Sequence, residues 1–191
     1  HLADLVSGMG VCGRAWVNGS EAVSFCGSDT EQHEQTHNFG QHHAGTPSQE
    51  YLRDNEWMGA GGRRHNHNAP MIKQLGLMDE QHIEKLFTDD EGIEAYLVQH
   101  DTPDIAVRDG ELKLVEIFTR SNRGPDLGVS LLGGHVTVHQ PATRSWVKTQ
   151  RLAKLSKGES FTANGVKIHF AERYDDQSVK VLIEKNGLVN A

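Results

Sequence analysis

The 191-residue chain carries only 2 cysteines, 5 prolines and 6% aromatic residues. Two thiols exclude a disulfide-dense scaffold, and the proline content is too low for an extended proline-rich linker. No run approaches the ~18 apolar residues that a membrane span needs. The opening His1-Leu2-Ala3-Asp4 has neither a basic region nor an apolar one, so the expectation is a chain that is cytosolic, already processed or partial. Dense positive charge is missing too: the formal charge is −7 and the only basic cluster is Gly61-Gly62-Arg63-Arg64. Nucleic acid is therefore not expected as the main partner, because phosphate recognition rests on clustered Lys and Arg.

What is abundant is glycine, with 20 residues, and histidine, with 12, against 36% apolar residues. That balance describes a soluble, loop-rich globular protein and not a disordered one; the helical patterns followed by strand patterns described below make the expected class α+β. The length suits one domain or two small ones. A change of pattern near residue 100 suggests units at 1–100 and 101–191.

The two cysteines flank "GRAWVNGSEAVSF", in which Asn18-Gly19-Ser20 separates two apolar-rich runs and reads as a β-hairpin. A three-residue loop centred on Gly19 sets Val17 opposite Glu21 and, counting outward, Cys12 opposite Cys26. A disulfide there closes a short loop and implies an oxidising compartment, hence a secreted protein. Two free buried thiols are the alternative. Asn18-Gly19-Ser20 is also a glycosylation sequon, although Asn-Gly serves turns so often that the turn reading comes first.

Residues 3–6, "ADLV", read as the end of a buried strand. Ser28-Asp29-Thr30-Glu31 matches a capping box, so a helix is expected from Ser28 to about Phe39, with Gly40 as its left-handed stop. From Gln41 to Asn68 neither helical nor strand periodicity appears, and so long an irregular segment is usually functional or disordered. Asn68 and Pro70 then start a second helix ending near Gly76. A third is expected from Asp79, with Ile83, Leu86 and Phe87 on one face. Beyond residue 101, "LKLVEIFT", "HVTVHQ", "VKIHFAE" and "SVKVLIE" alternate at period two, which predicts a small antiparallel β-sandwich or barrel.

Inside the first helix His33 and His37 lie four apart, so both rings leave one face and converge. Neutral imidazoles of this kind bind zinc, and Glu34, directly after the first, points beside the ion, where it can act as general base. Gly40 and His43 extend the pattern to H-E-x-x-H-x-x-G-x-x-H. A continuing helix would carry a third histidine past the ion, so the chain must turn at a glycine that tolerates positive φ. This spacing selects His43 over His42, and replacing His42 is expected to leave zinc binding largely intact. In a chain with 12 His and 20 Gly the five positions match by chance roughly 3 times in 10,000, so the motif is a specific signal. Gln32, Gln35 and Thr36 are more polar than a buried zinc helix usually carries.

The extended motif resembles that of the metzincin zinc endopeptidases. Met58 in "NEWMGAGG", and the stretch Glu56 to Leu77 around it, are similar to the methionine turn of the gametolysin-like and reprolysin-like branches. "ADLVSGMGVCGRAWVNG" is similar to the strands that precede the zinc helix in reprolysin-like enzymes. The resemblance covers residues 3–77, and "LVEIFTR" is similar to gametolysin-like proteins. It implies a secreted metalloendopeptidase. Zinc on His33, His37 and His43 would polarise a peptide carbonyl and acidify a water whose proton Glu34 takes. A protein or peptide substrate would lie along the edge strand of Gly13, Arg14, Ala15 and Trp16.

Two departures stand out: only 32 residues precede the zinc helix, where metzincins carry roughly a hundred, and Ala60 occupies a place where some metzincins have a metal-proximal tyrosine. Most of the usual N-terminal part is thus absent: either this chain is the C-terminal part of a nicked or truncated enzyme, or a separate chain or segment is the partner that completes it, or the fold is a reduced one. A non-catalytic zinc-binding adhesion or interaction module is the reading from another class.

Other signals have plain readings. "RRHNHNAP" lacks the spread of a ββα nuclease motif. His135, His139 and His169 are expected on solvated strand faces, although a second metal site is conceivable there. Asp89-Asp90-Glu91 and Asp175-Asp176 are expected in solvated turns, without the ligand spacing of a calcium loop.

Overall fold

The computed structural model describes residues 12–52, 57–60, 67–87, 93–97, 111–112, 114–118, 125–132, 134–141 and 149–185. The expected strand at residues 3–6, the basic spot at 61–64 and the acidic run at 89–91 lie outside them. The fold is mixed α+β and mostly β, with two α-helices among the described residues. None of the described helices is long and apolar enough to cross a membrane.

Two compact units divide the chain, one of residues 1–67 with 142–150 and one of residues 68–141 with 151–191. The short helix α2 (Ala69–Gln74) falls in the second of these units.

In the first unit, β1 (Gly13–Ala15) pairs antiparallel with β2 (Ala22–Ser24). Gly13 faces Ser24 and Arg14 faces Val23, which is one residue off the register counted from a three-residue loop. The difference lies in the turn: Gly19 N–H bonds the Trp16 carbonyl at 2.8 Å, and Asn18 takes the left-handed conformation at φ 59°. The Cys12 carbonyl thus accepts from the Phe25 N–H at 2.8 Å, and Phe25, not Cys26, stands opposite it. Cys26 lies just past the ladder, where the chain bends into Gly27, and it forms the expected disulfide with Cys12.

Helix α1 (Ser28–Asn38) follows. The capping box does not form: Gly27, at φ 108°, holds the cap position, Ser28 is already helical, and no side chain caps the end. The helix stops as expected, with Gly40 at φ 88°. Strand β3 (Ala44–Gly45) is two residues long and pairs in parallel with Thr149 and Gln150 of the same unit.

The second unit is a sandwich over one apolar core. One sheet contains β4 (Ile83–Phe87), β7 (Leu114–Phe118), β8 (Pro125–Leu132), β9 (His135–Gln140) and β10 (Thr149–Leu155), of which the residues from Arg151 on belong to this unit. The other runs in the order β11 (Ser160–Ala163), β12 (Val166–Arg173), β13 (Val179–Lys185), β5 (Ile93–Leu97), β6 (Glu111–Leu112). Alternation places Val115 and Ile117 inward against Ile168, Phe170, Val181 and Ile183, and burial of such side chains contributes roughly 1.5–3 kcal/mol each.

Three expectations change here. Residues 83–87 are a strand and not a helix, because they pair in register with β7. The pairs β4–β7 and β5–β6 are parallel, so the sandwich is not purely antiparallel. The face of β9 bearing Thr137 and His139 is buried, because α2 packs on that side of the sheet. There Asn68 meets His139, Pro70 approaches Gly128, and Lys73 grips Glu116 with both carboxylate oxygens 2.6 Å away. Asn68 caps α2 as expected, accepting from Met71 N–H at 3.0 Å. His169 bonds Ser160, and Asp176 accepts from Ser178 in a turn.

Candidate metal centre

Helix α1 buries no large apolar side chain; its two buried residues are Glu34 and His37. An 11-residue helix is marginal alone in water, so polar contacts hold it in place. Asn18 N–H bonds the His37 carbonyl at 2.9 Å, which seats the hairpin turn on the helix C-terminus. Gly40 completes that junction. A Cβ there would lie 2.8 Å from Asn18 Oδ1, so glycine is required both for its φ of 88° and for the close approach.

The turn at Gly40 brings the third histidine back. His33, His37 and His43 each present a ligand atom within 4.8 Å of the others. His42 is not part of this group, as the spacing from Gly40 indicates.

The remaining ring nitrogens decide which edge converges. His33 Nδ1 lies 3.1 Å from the Trp57 carbonyl, His37 Nδ1 2.7 Å from the Gln41 carbonyl, and His43 Nδ1 2.8 Å from Glu50 Oε1. Each of these oxygens can only accept, so each Nδ1 carries a proton, and Nε2 is the atom that each ring in its neutral form offers a metal. Burial lowers the pKa of His33, and it lowers that of His37 to about 4. Both rings are thus neutral at pH 7, the state a metal requires. Three imidazoles with engaged outer nitrogens are a donor set that a transition-metal ion can use.

Glu34 is buried, and desolvation raises its pKa against the opposing bond from the Ala15 N–H. Strand β1 passes directly over it: a Cβ on Gly13 would lie 2.7 Å from Glu34 Cγ. Of the four residues expected to bind substrate, Ala15 therefore already bonds Glu34. Gly13 supplies clearance for that carboxylate. Arg14 sits over the Trp16 ring at 5.0 Å, and Trp16 is 67% exposed.

Met58 is fully buried. The backbone around it is tied to the histidine-bearing segments: Trp57 offers its carbonyl to His33, and the Met58 carbonyl accepts from Ala44 N–H at 2.8 Å. Leu52 N–H bonds Ala44, and Ala60 N–H bonds Leu52.

Sequence reasoning missed Glu50 and Tyr51. The Tyr51 ring lies 4.2 Å from the His43 ring, and its hydroxyl is 3.2 Å from His43 Nε2. Burial, then the charges of Glu50 and Glu34, raise the tyrosine pKa. Both residues stand in the aperiodic stretch after His43, where no spacing rule points to them.

The chain is thus an α+β protein with a disulfide and a three-histidine group positioned for a metal ion. No protein-family model, curated protein or solved structure matches it.

Proposed function

We propose that the chain is a secreted zinc metalloendopeptidase of metzincin type, with His33, His37 and His43 as zinc ligands and Glu34 as general base. The observation that carries this reading is the combination of three converging imidazoles with a buried carboxylate one residue after the first ligand. Zinc, when bound, supplies Lewis acidity toward a carbonyl oxygen and a water. Glu34, with a pKa raised by burial, is suited to take a proton and return it to the leaving amine. The Ala15 N–H holds that carboxylate in place, while the exposed Trp16 is available to a peptide on the same strand. A protein or peptide substrate is the partner this reading implies.

The test is hydrolysis of an unstructured protein by the zinc-loaded chain and by Glu34→Gln, with bound zinc measured in both. Hydrolysis in the first, its loss by about 100-fold or more in the second, and equal zinc support the base role. Stoichiometric zinc with no hydrolysis in either favours the adhesion or interaction module.

A further inference from the structure

We propose that His42, His43 and Glu50 form a second, outer site for a divalent transition-metal ion, joined to the triad through the shared ring of His43. One ligand atom from each of these residues lies within 4.8 Å of the other two. Imidazole has nitrogens on opposite edges. With Nε2 of His43 turned to the triad, the Nδ1 edge faces Glu50 Oε1 at 2.8 Å. His42 is held beside it: its Nδ1 accepts the His43 backbone N–H at 2.8 Å, and its ring stands 5.3 Å from the His43 ring, nearly perpendicular at 80°. The proposal rests on the triad reading only for the choice of edge.

Two imidazoles and one carboxylate suit zinc, copper or nickel and not calcium or magnesium. An ion there takes the place of the His43 Nδ1 proton, which passes to solvent, and Glu50 changes from hydrogen-bond acceptor to ligand. Its side chain is 49% exposed, so water completes the coordination and the site is weaker than the triad. The loop after Gly40 thereby gains a regulatory role. Metal in excess removes the contact that orients the triad's third ligand, and activity declines as the outer site fills.

The experiment uses the full chain, stripped with a chelator and titrated with Zn2+ by calorimetry. Wild type is expected to take up two ions in a tight and a weak step. His42→Ala keeps the tight step and loses the weak one, whereas His37→Ala loses the tight one. Glu50→Gln, which leaves His43 an acceptor but removes the charge, also loses the weak step and serves if His42→Ala does not fold. Electron paramagnetic resonance with Cu2+ reads the sharing: two coppers across one ring couple, so doubly loaded wild type shows less signal than its copper content, and His42→Ala shows the full signal. A single step in wild type, or a weak step that survives both substitutions, overturns the outer site. Loss of the tight step in wild type counts against the zinc centre instead.

Discussion

Gly40 shows how much a single residue decides. Its φ of 88° ends α1, and the absence of a Cβ admits Asn18 Oδ1 against it. Alanine there faces both the left-handed penalty, about 1–2 kcal/mol, and a collision with Asn18. Gly40→Ala is expected to lower the unfolding free energy by at least that amount in denaturant titrations. It is also expected to weaken zinc binding, since His43 returns to the triad through this turn. Unchanged binding would show that the turn does not place His43. Glu50 acts at the same scale. Outer partners of metal-bound histidines are worth about 10–100-fold in affinity, so Glu50→Ala should weaken the tight step by that factor and Glu50→Gln by less.

At the scale of elements, α2 covers polar side chains and not only an apolar patch. Glu116, Ser130, Thr137 and His139 on that side of the sheet are all buried, and so is Asn68 at the helix cap. Asn68 both caps the helix and reaches His139 Nε2 with its amide nitrogen, 3.4 Å away. Asn68→Ala should cost about 1 kcal/mol for the cap and more for the histidine left without its donor. Asn68→Asp restores the acceptor alone. A stability for the aspartate variant equal to wild type would mean that the His139 contact contributes nothing. Helix α1 is held differently, by bonds from the hairpin and from the Trp57 turn, so its order depends on loops that the helix sequence does not contain.

For the whole molecule the buried histidine makes stability depend on pH. Burial, and after it the Arg151 charge, lower the His139 pKa from 6.5 to about 3. Between those values the unfolded chain binds a proton that the folded chain does not. Stability is therefore lost as pH falls from about 6.5 toward 3 and is fully present above 6.5. Melting temperatures between pH 7 and 4 should fall more steeply for wild type than for His139→Gln. Parallel curves would assign the acid sensitivity to other groups.

Several features were legible from the chain alone because they are local. The four-residue spacing of His33 and His37, the glycine three beyond, Asn68 before Pro70, and period-two alternation in β9, β12 and β13 each follow from backbone geometry within one element. Other features needed distant partners. Residues 83–87 become a strand because Ile83 finds Leu114 and Leu86 finds Ile117. β8 escaped notice because residues on both its faces are buried, which erases alternation. His139 is dry because α2 lies over it. Glu50 and Tyr51 join the metal centre through a loop whose path is set by backbone bonds among Ala44, Leu52, Met58 and Ala60. Sequence determined which side chains can bind a metal, since their spacing is a property of one helix and its stop. Only tertiary structure decided which nitrogen each ring presents, because the acceptors that fix the tautomers come from residues 4, 7 and 24 positions away.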